Sequence, residues 1–271
     1  MARRDVTAEI QDLTRLSWSE RASSSGTAGT YLKAREGSGT RMTYYKLSRY
    51  NGRTIDGCEC VNEVVASRLM DVLGIGHVRY RLVHARVVVE GVEHVTWLNA
   101  SRNFRRSGER KVSLGTYYGL YRHDDESPYD FCARLGWQDE VRKVMLVDYL
   151  MANRDRHSSN IEVLVDRRGE ARLAPLFDTG LSLFAPFALD EERVRAFDPL
   201  AEVATTNFVG SRSLEKNLGL VGRLGDVTDL TERDRAALLD GLEGALEPYQ
   251  LDKVWEIVWE RWRHYEDVRD R

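Results

Sequence analysis

Apolar positions recur with two different periods along the chain, and the change of period divides it. Alternation dominates the first hundred residues, where Tyr31–Ala34, Met42–Leu47, Val78–His84, Ala85–Val89 and Val92–Asn99 read as strands. Arg35-Glu36-Gly37-Ser38-Gly39 and Glu90-Gly91 supply turns between them. Two segments in this part carry helical spacing instead. Residues 7–16 place Ile10, Leu13 and Leu16 on one face and predict a short helix. Val61, Val65, Leu69 and Val72, at steps of three and four, predict a helix over Cys58–Leu73 that Gly74 ends.

Helical spacing takes over in the second half, at Gln138–Met151, Arg233–Leu246 and Leu251–Asp267. One hairpin interrupts it, Ile161–Val165 and Ala171–Leu176 around Asp166-Arg167-Arg168-Gly169-Glu170. The pattern predicts an α+β fold in two lobes: a β-rich N-terminal lobe over residues 1–100 and a mostly helical lobe over 101–271, with the boundary near Asn99–Ser107.

Composition narrows the class. The chain has 271 residues, 42% of them hydrophobic, enough to bury a sizeable core, so a disordered tail is excluded. A formal net charge of −3 gives no bulk attraction to nucleic acid, and no direct nucleic-acid binding is expected. The basic run Arg102–Lys111 reads as a solvated loop. Leu173–Leu189 is broken by Asp178 and two prolines and is no membrane span. The start lacks the apolar run of a signal peptide, and three cysteines make no disulfide framework. A soluble cytoplasmic protein without membrane contact is expected. Cys58-Glu59-Cys60 lacks a second ligand pair for zinc and reads as ordinary thiols.

The chemistry concentrates in Asn153-Arg154-Asp155-Arg156-His157-Ser158-Ser159-Asn160, a loop held between a helix and the hairpin. Asp155 and Asn160 are five positions apart, the separation found in the His-Arg-Asp-x-x-x-x-Asn catalytic loop of kinases. The hairpin then returns the chain at Phe177-Asp178-Thr179-Gly180. Phosphoryl transfer from ATP needs a carboxylate to take the proton of the attacking hydroxyl, and an amide oxygen with a second carboxylate to hold Mg²⁺. Asp155, Asn160 and Asp178 supply these in order. The ligand set suits a hard cation and not zinc. His157 is read as holding the loop, and Arg156 as pairing with either a carboxylate or a phosphate.

The first lobe should then supply an ATP clamp. Lys46 lies mid-strand among apolar and aromatic neighbours, and Glu63 on the next helix is in line with Ala66 and Met70, so the two are expected to pair against the phosphates. Gly26, Thr27 and Gly29, within a run of small residues, permit close backbone approach to phosphate. That run matches neither G-x-G-x-x-G nor a Walker loop and is equally consistent with a flexible linker. Trp255, Trp259 and Trp262 read as core packing, and Thr206–Ser211 as either a substrate-side turn or a surface loop.

The run Asp148–Asn160 followed by Leu173–Asp178, together with Asn62–Leu69 and the strand lysine Lys46, resembles the catalytic core of HipA-like serine/threonine kinases. The resemblance extends from about Ser23 to Asp178 and more loosely through the helical C-terminus. It implies a protein-kinase-like fold, ATP and Mg²⁺ as cofactors, and Ser or Thr of a protein as the acceptor. Asp155 would be the base, Asn160 and Asp178 the metal ligands, and Lys46 the phosphate contact braced by Glu63. HipA-like toxins autophosphorylate a serine of the Gly-rich loop, the region of Ser23, Ser24 and Ser25 here. A regulatory partner protein is left open. Longer members carry an additional N-terminal domain, so toxin-type partner contacts are not expected to carry over. The Asp178-Thr179-Gly180 triplet also lacks the Phe of Asp-Phe-Gly kinases. The alternatives are a small-molecule or lipid kinase with the same nucleotide site, or a nucleotide-binding pseudokinase scaffold.

Overall fold

In the computed structural model, which describes residues 5–19 and 31–270, the alternating segments of the N-terminal part join one sheet. Its strands are β1 (Val6–Asp12), β2 (Lys33–Glu36), β3 (Thr43–Leu47), β4 (Tyr80–Val89) and β5 (Val92–Arg102), in the order β1-β4-β5-β3-β2. β1 runs parallel to β4, and the remaining pairs are antiparallel. Helix α1 (Glu59–Leu73) connects β3 to β4 and stops at Gly74, whose φ of 73° closes the left-handed cap. The strands predicted at Val78–His84 and Ala85–Val89 are one strand, paired without a break to β5. Glu90 and Gly91, both at positive φ, form its tight turn.

Two predicted helices are corrected. Residues 7–16 form no helix: Val6–Asp12 is an edge strand on β4, Leu13 and Leu16 are buried beyond it, and Ile10 is exposed. The three-residue apolar spacing there is a coincidence of a strand and the chain that follows it. The helix predicted over Arg233–Leu246 ends at Leu239. Two glycines, Gly241 and Gly244, follow, and the local carbonyls serve other elements: Arg68 on α1 donates to Leu238 O and Asp240 O, and Trp97 Nε1 on β5 donates to Gly244 O.

The sheet has two unlike faces. Ala34, Tyr45, Leu47, Val83 and Leu98 pack a small core on one face with Leu13 and Leu16. The other face meets α1, whose Val61, Val64, Leu69 and Leu73 belong to the main core shared with the second lobe. That lobe contains a second sheet, β6 (Arg110–Ser113), β7 (Glu162–Val165) and β8 (Ala171–Leu173), in sequence order. Its helices are α2 (Leu114–Tyr121), α3 (Pro128–Arg134), α4 (Gln138–Leu150), α5 (Glu191–Ala196), α6 (Leu214–Val221), α7 (Arg235–Leu239) and α8 (Pro248–Arg269). On α8, Trp262 is fully buried, while Trp255 stacks on Trp259 at 5.6 Å between ring centroids, both partly buried against the core. Among the described residues, no helix is long and apolar enough to cross a membrane.

Candidate active site

The Asp155 loop leaves α4 through a turn with Ala152 at a φ of 50°, a conformation L-residues rarely adopt. The Leu183 N–H donates to Met151 O at 2.7 Å and the Arg154 N–H to Leu181 O at 3.1 Å, so the segment after Asp178 is stitched to the end of α4. Asp178 and Leu183 also sit at positive φ, 58° and 53°. Three such residues around one loop mark backbone strain of the kind that surrounding packing has to sustain, and such strain clusters at functional sites.

One buried ion pair organises this loop. Arg156 and Asp148, both with fully buried side chains, pair at 2.9 Å. The same guanidinium donates to Asn160 O at 3.0 Å and Phe177 O at 2.6 Å. It therefore ties together α4, the residue that ends the loop, and the residue before Asp178. Of the two partners expected for Arg156, the carboxylate is the one found. Burial alone would lower the Arg156 pKa, but the Asp148 carboxylate overcomes it and raises it.

Within the loop, the Asn160 side chain donates from Nδ2 to Asp155 O at 2.9 Å, which fixes its amide and leaves the acceptor Oδ1 available to a cation. Asp155 is partly exposed, with its Oδ1 accepting from Thr206 Oγ1 at 3.0 Å. Thr206 N in turn donates to Arg154 O and Phe208 N to Arg156 O. The Thr206–Ser211 segment is therefore an ordered strip along the loop, with Asn207 and Val209 buried. His157 is exposed; its Nδ1 accepts from Ser159 N at 3.2 Å, and its Nε2 lies 3.6 Å from Asp155 Oδ2.

Lys46 reaches into the same cleft from β3. Its Nζ is 2.7 Å from Glu63 Oε1 and 2.6 Å from Asp178 Oδ1. Burial opposes the charge on Lys46, but Asp178 and Glu63 outweigh it and hold the ammonium protonated. Burial would likewise raise Asp178; Lys46 and then Lys33 reverse that and hold its carboxyl well below the usual range. Glu63, fully enclosed, is pushed up by burial against the pull of Lys46. Gly180 lets α1 approach the segment after Asp178, since a Cβ there would lie 3.1 Å from Glu59 O. Asn62 clamps the contact by donating to Gly180 O and Ser182 O, both at 3.0 Å.

The structure thus brings Lys46, Glu63 and Asp178 into direct contact, joins Asn160 to Asp155 through the Asp155 carbonyl, and ties Asn160 O to the residue before Asp178 through Arg156. Gly26, Thr27 and Gly29, with Ser23, Ser24 and Ser25, lie outside the described residues. The amide oxygen of Asn160 and the carboxylate of Asp178 are hard oxygen donors, which fits Mg²⁺ completed by phosphate and water. Cys58, Cys60 and Cys132 are buried free thiols, and burial pushes Cys60 up to about 12.

Three residues escaped the sequence reading. Thr206 and the scaffolding role of Arg156 needed tertiary contacts to become visible. Lys111, taken as part of a solvated basic loop, is buried on β6 and paired to Glu162 at 2.7 Å. The hint was the single apolar step Lys111-Val112 after the charges, too short to mark a strand.

No protein-family model matches the chain, and no curated protein matches its sequence. Solved structures do match. The Helicobacter pylori proinflammatory kinase CtkA superposes over 97% of this chain and 97% of its own, with a TM-score of 0.65 and 12% identity. The HipA–HipB toxin–antitoxin complex with operator DNA from Shewanella oneidensis matches over 90% of this chain and 67% of that one, at 16% identity and a TM-score of 0.46, too loose to bear on the fold. The likeness to CtkA, nearly end to end, shows that this chain has a two-lobed, α+β protein-kinase-like fold.

Proposed function

We propose that the protein is an ATP- and Mg²⁺-dependent kinase that phosphorylates Ser or Thr of a protein. The observation that carries this reading is the Lys46 ammonium bonded at once to Glu63 and Asp178, with Asn160 anchored to the backbone of Asp155. In this reading Lys46, held in place by Glu63, binds the nucleotide phosphates. Asn160 and Asp178 hold Mg²⁺, which neutralises charge on those phosphates when bound. Asp155 orients the acceptor hydroxyl and takes its proton, while the Thr206 hydroxyl holds one carboxylate oxygen in place. Gly26, Thr27 and Gly29 are assigned to nucleotide binding, and a serine among Ser23, Ser24 and Ser25 is an acceptor for self-phosphorylation. A protein substrate, a regulatory protein partner and a cytoplasmic setting complete the proposal, with no membrane or nucleic-acid contact.

The test is intact-mass spectrometry after incubation with ATP and Mg²⁺, beside Asp155→Asn. A gain of about 80 Da, one phosphate, in the wild type alone supports phosphoryl transfer to protein. Absence of transfer both to itself and to a panel of protein substrates, with ATP still bound, would move the assignment to a small-molecule kinase or a nucleotide-binding scaffold.

A further inference from the structure

Lysines and carboxylates converge on the cleft side of the N-terminal sheet, and they do not all pair. Lys46 takes Glu63 and Asp178, and Lys111 takes Glu162. Lys33 belongs to the same group, yet among the described residues no hydrogen bond or ion pair reaches its ammonium.

The sheet register decides where Lys33 points. Lys33 stands directly opposite Lys46 across β2 and β3, and Lys46 opposite Asn99 across β3 and β5. Directly opposed residues of an antiparallel pair project to the same face. The flanking Ala34, Tyr45, Leu47 and Leu98 fill the small core on the far side, so Lys33 and Lys46 both project toward α1 and the cleft. The strand is held on its other edge too, by reciprocal bonds of 3.0 Å between the Lys33 and Ser19 backbones. Lys33 is partly exposed and feels the charges of Asp178, Glu63 and Glu162, while burial lowers its pKa.

An ammonium partly withdrawn from water without a partner is costly, and a fixed strand position prevents it from simply turning outward. A site that receives a polyanion repays that cost on binding, because the cation is already in place. Lysine, a compact point charge on a long stem, suits phosphate oxygens whose exact orientation varies.

We propose that Lys33 is a second phosphate-binding cation of this cleft, placing its ammonium on the polyphosphate of a nucleoside triphosphate beside Lys46; this rests on the kinase reading above. The experiment is calorimetric titration of the full chain with Mg·ATP and with adenosine, for the wild type, Lys33→Met and Lys33→Arg. One lost charge-assisted contact is expected to weaken Mg·ATP binding roughly 10- to 100-fold in Lys33→Met, leave adenosine unchanged, and be largely restored in Lys33→Arg. Thermal melting of Lys33→Met should be no lower than that of the wild type, since the substitution removes an unpartnered ammonium. Equal Mg·ATP affinity in Lys33→Met overturns the assignment, and equal losses for Mg·ATP and adenosine do so as well, since Lys33 would then only shape the cleft. A wild-type protein that binds no nucleotide sinks the kinase reading itself and this inference with it.

Discussion

Lys46 Nζ lies 2.6 Å from Asp178 Oδ1, although 132 residues separate them in the chain. The contact joins the N-terminal sheet to the segment that follows the hairpin of the second lobe. It is the point at which the two halves of the cleft meet, and Glu63 on α1 shares the same ammonium at 2.7 Å.

Removing that ammonium leaves two carboxylates facing each other, with Glu63 shielded from water and Asp178 partly so. Lys46→Met should cost about 3–5 kcal/mol in unfolding free energy, because breaking a buried pair by deleting one partner strands the other charge. Adding Glu63→Gln to Lys46→Met should recover part of that loss. Urea unfolding of the single and double variants checks both, and a Lys46→Met protein as stable as the wild type contradicts the pairing.

Asp155 behaves oppositely. Its side chain is 35% exposed and, among the described residues, pairs only with Thr206 and, at 3.6 Å, His157. Asp155→Asn keeps the shape and an acceptor for Thr206, so stability should stay within about 0.5 kcal/mol of the wild type. Turnover should fall by about 10²–10⁴ if the carboxylate takes the proton. Phosphate-transfer rates and nucleotide affinity measured together separate this from a structural role, which would lower both.

Most of the cleft was legible in the sequence because its spacing is local: Asp155 to Asn160 lies within one loop, and the hairpin that brings Asp178 back is marked by its own turn residues. The Lys46–Glu63 pair followed from a strand charge and an inward helix position, and the structure places the two in contact. What stayed hidden depends on contacts distant in sequence. β1 could not be told from a helix without β4 beside it, since its apolar residues fit both periods. The end of α7 is set by Arg68, more than a hundred residues away, taking its last carbonyls. Lys111 looked like one more surface charge until β7 brought Glu162 against it.

Arg156 provides a sharper test of the loop's architecture than any exposed residue. Arg156→Met takes the guanidinium from Asp148, Asn160 O and Phe177 O together and leaves the Asp148 carboxylate with the Asn153 amide but no counter-charge. A loss of about 3–5 kcal/mol is expected. Asp148→Leu combined with Arg156→Met should recover only part of it, because the two carbonyls remain unserved and Asn153 loses its acceptor at 2.7 Å. Full recovery in the double variant would mean that the carbonyl contacts contribute nothing.

The stability should also depend on pH through His77, at the link between α1 and β4. Its Nδ1 lies 2.8 Å from Ile75 O, a pure acceptor, so Nδ1 carries the proton and Nε2 accepts from the Ser67 hydroxyl at 2.9 Å. Burial lowers the His77 pKa; Asp71, 3.9 Å away, pulls it up and Arg79 pushes it down, and burial prevails. In the unfolded chain the ring titrates near ~6.5. Below that pH the unfolded state binds the proton first, so stability falls as pH drops, by up to about 1.4 kcal/mol per unit until the folded ring is itself protonated. Above it both states are neutral and the contribution is complete. Unfolding free energies between pH 7.5 and 5.5 should therefore decline more steeply in the wild type than in His77→Gln. The glutamine cannot titrate, while its amide still offers a donor and an acceptor in place of the imidazole's. Equal slopes would show that folding leaves the His77 pKa unchanged, and a shallower decline in the wild type would show it raised, with Asp71 outweighing burial.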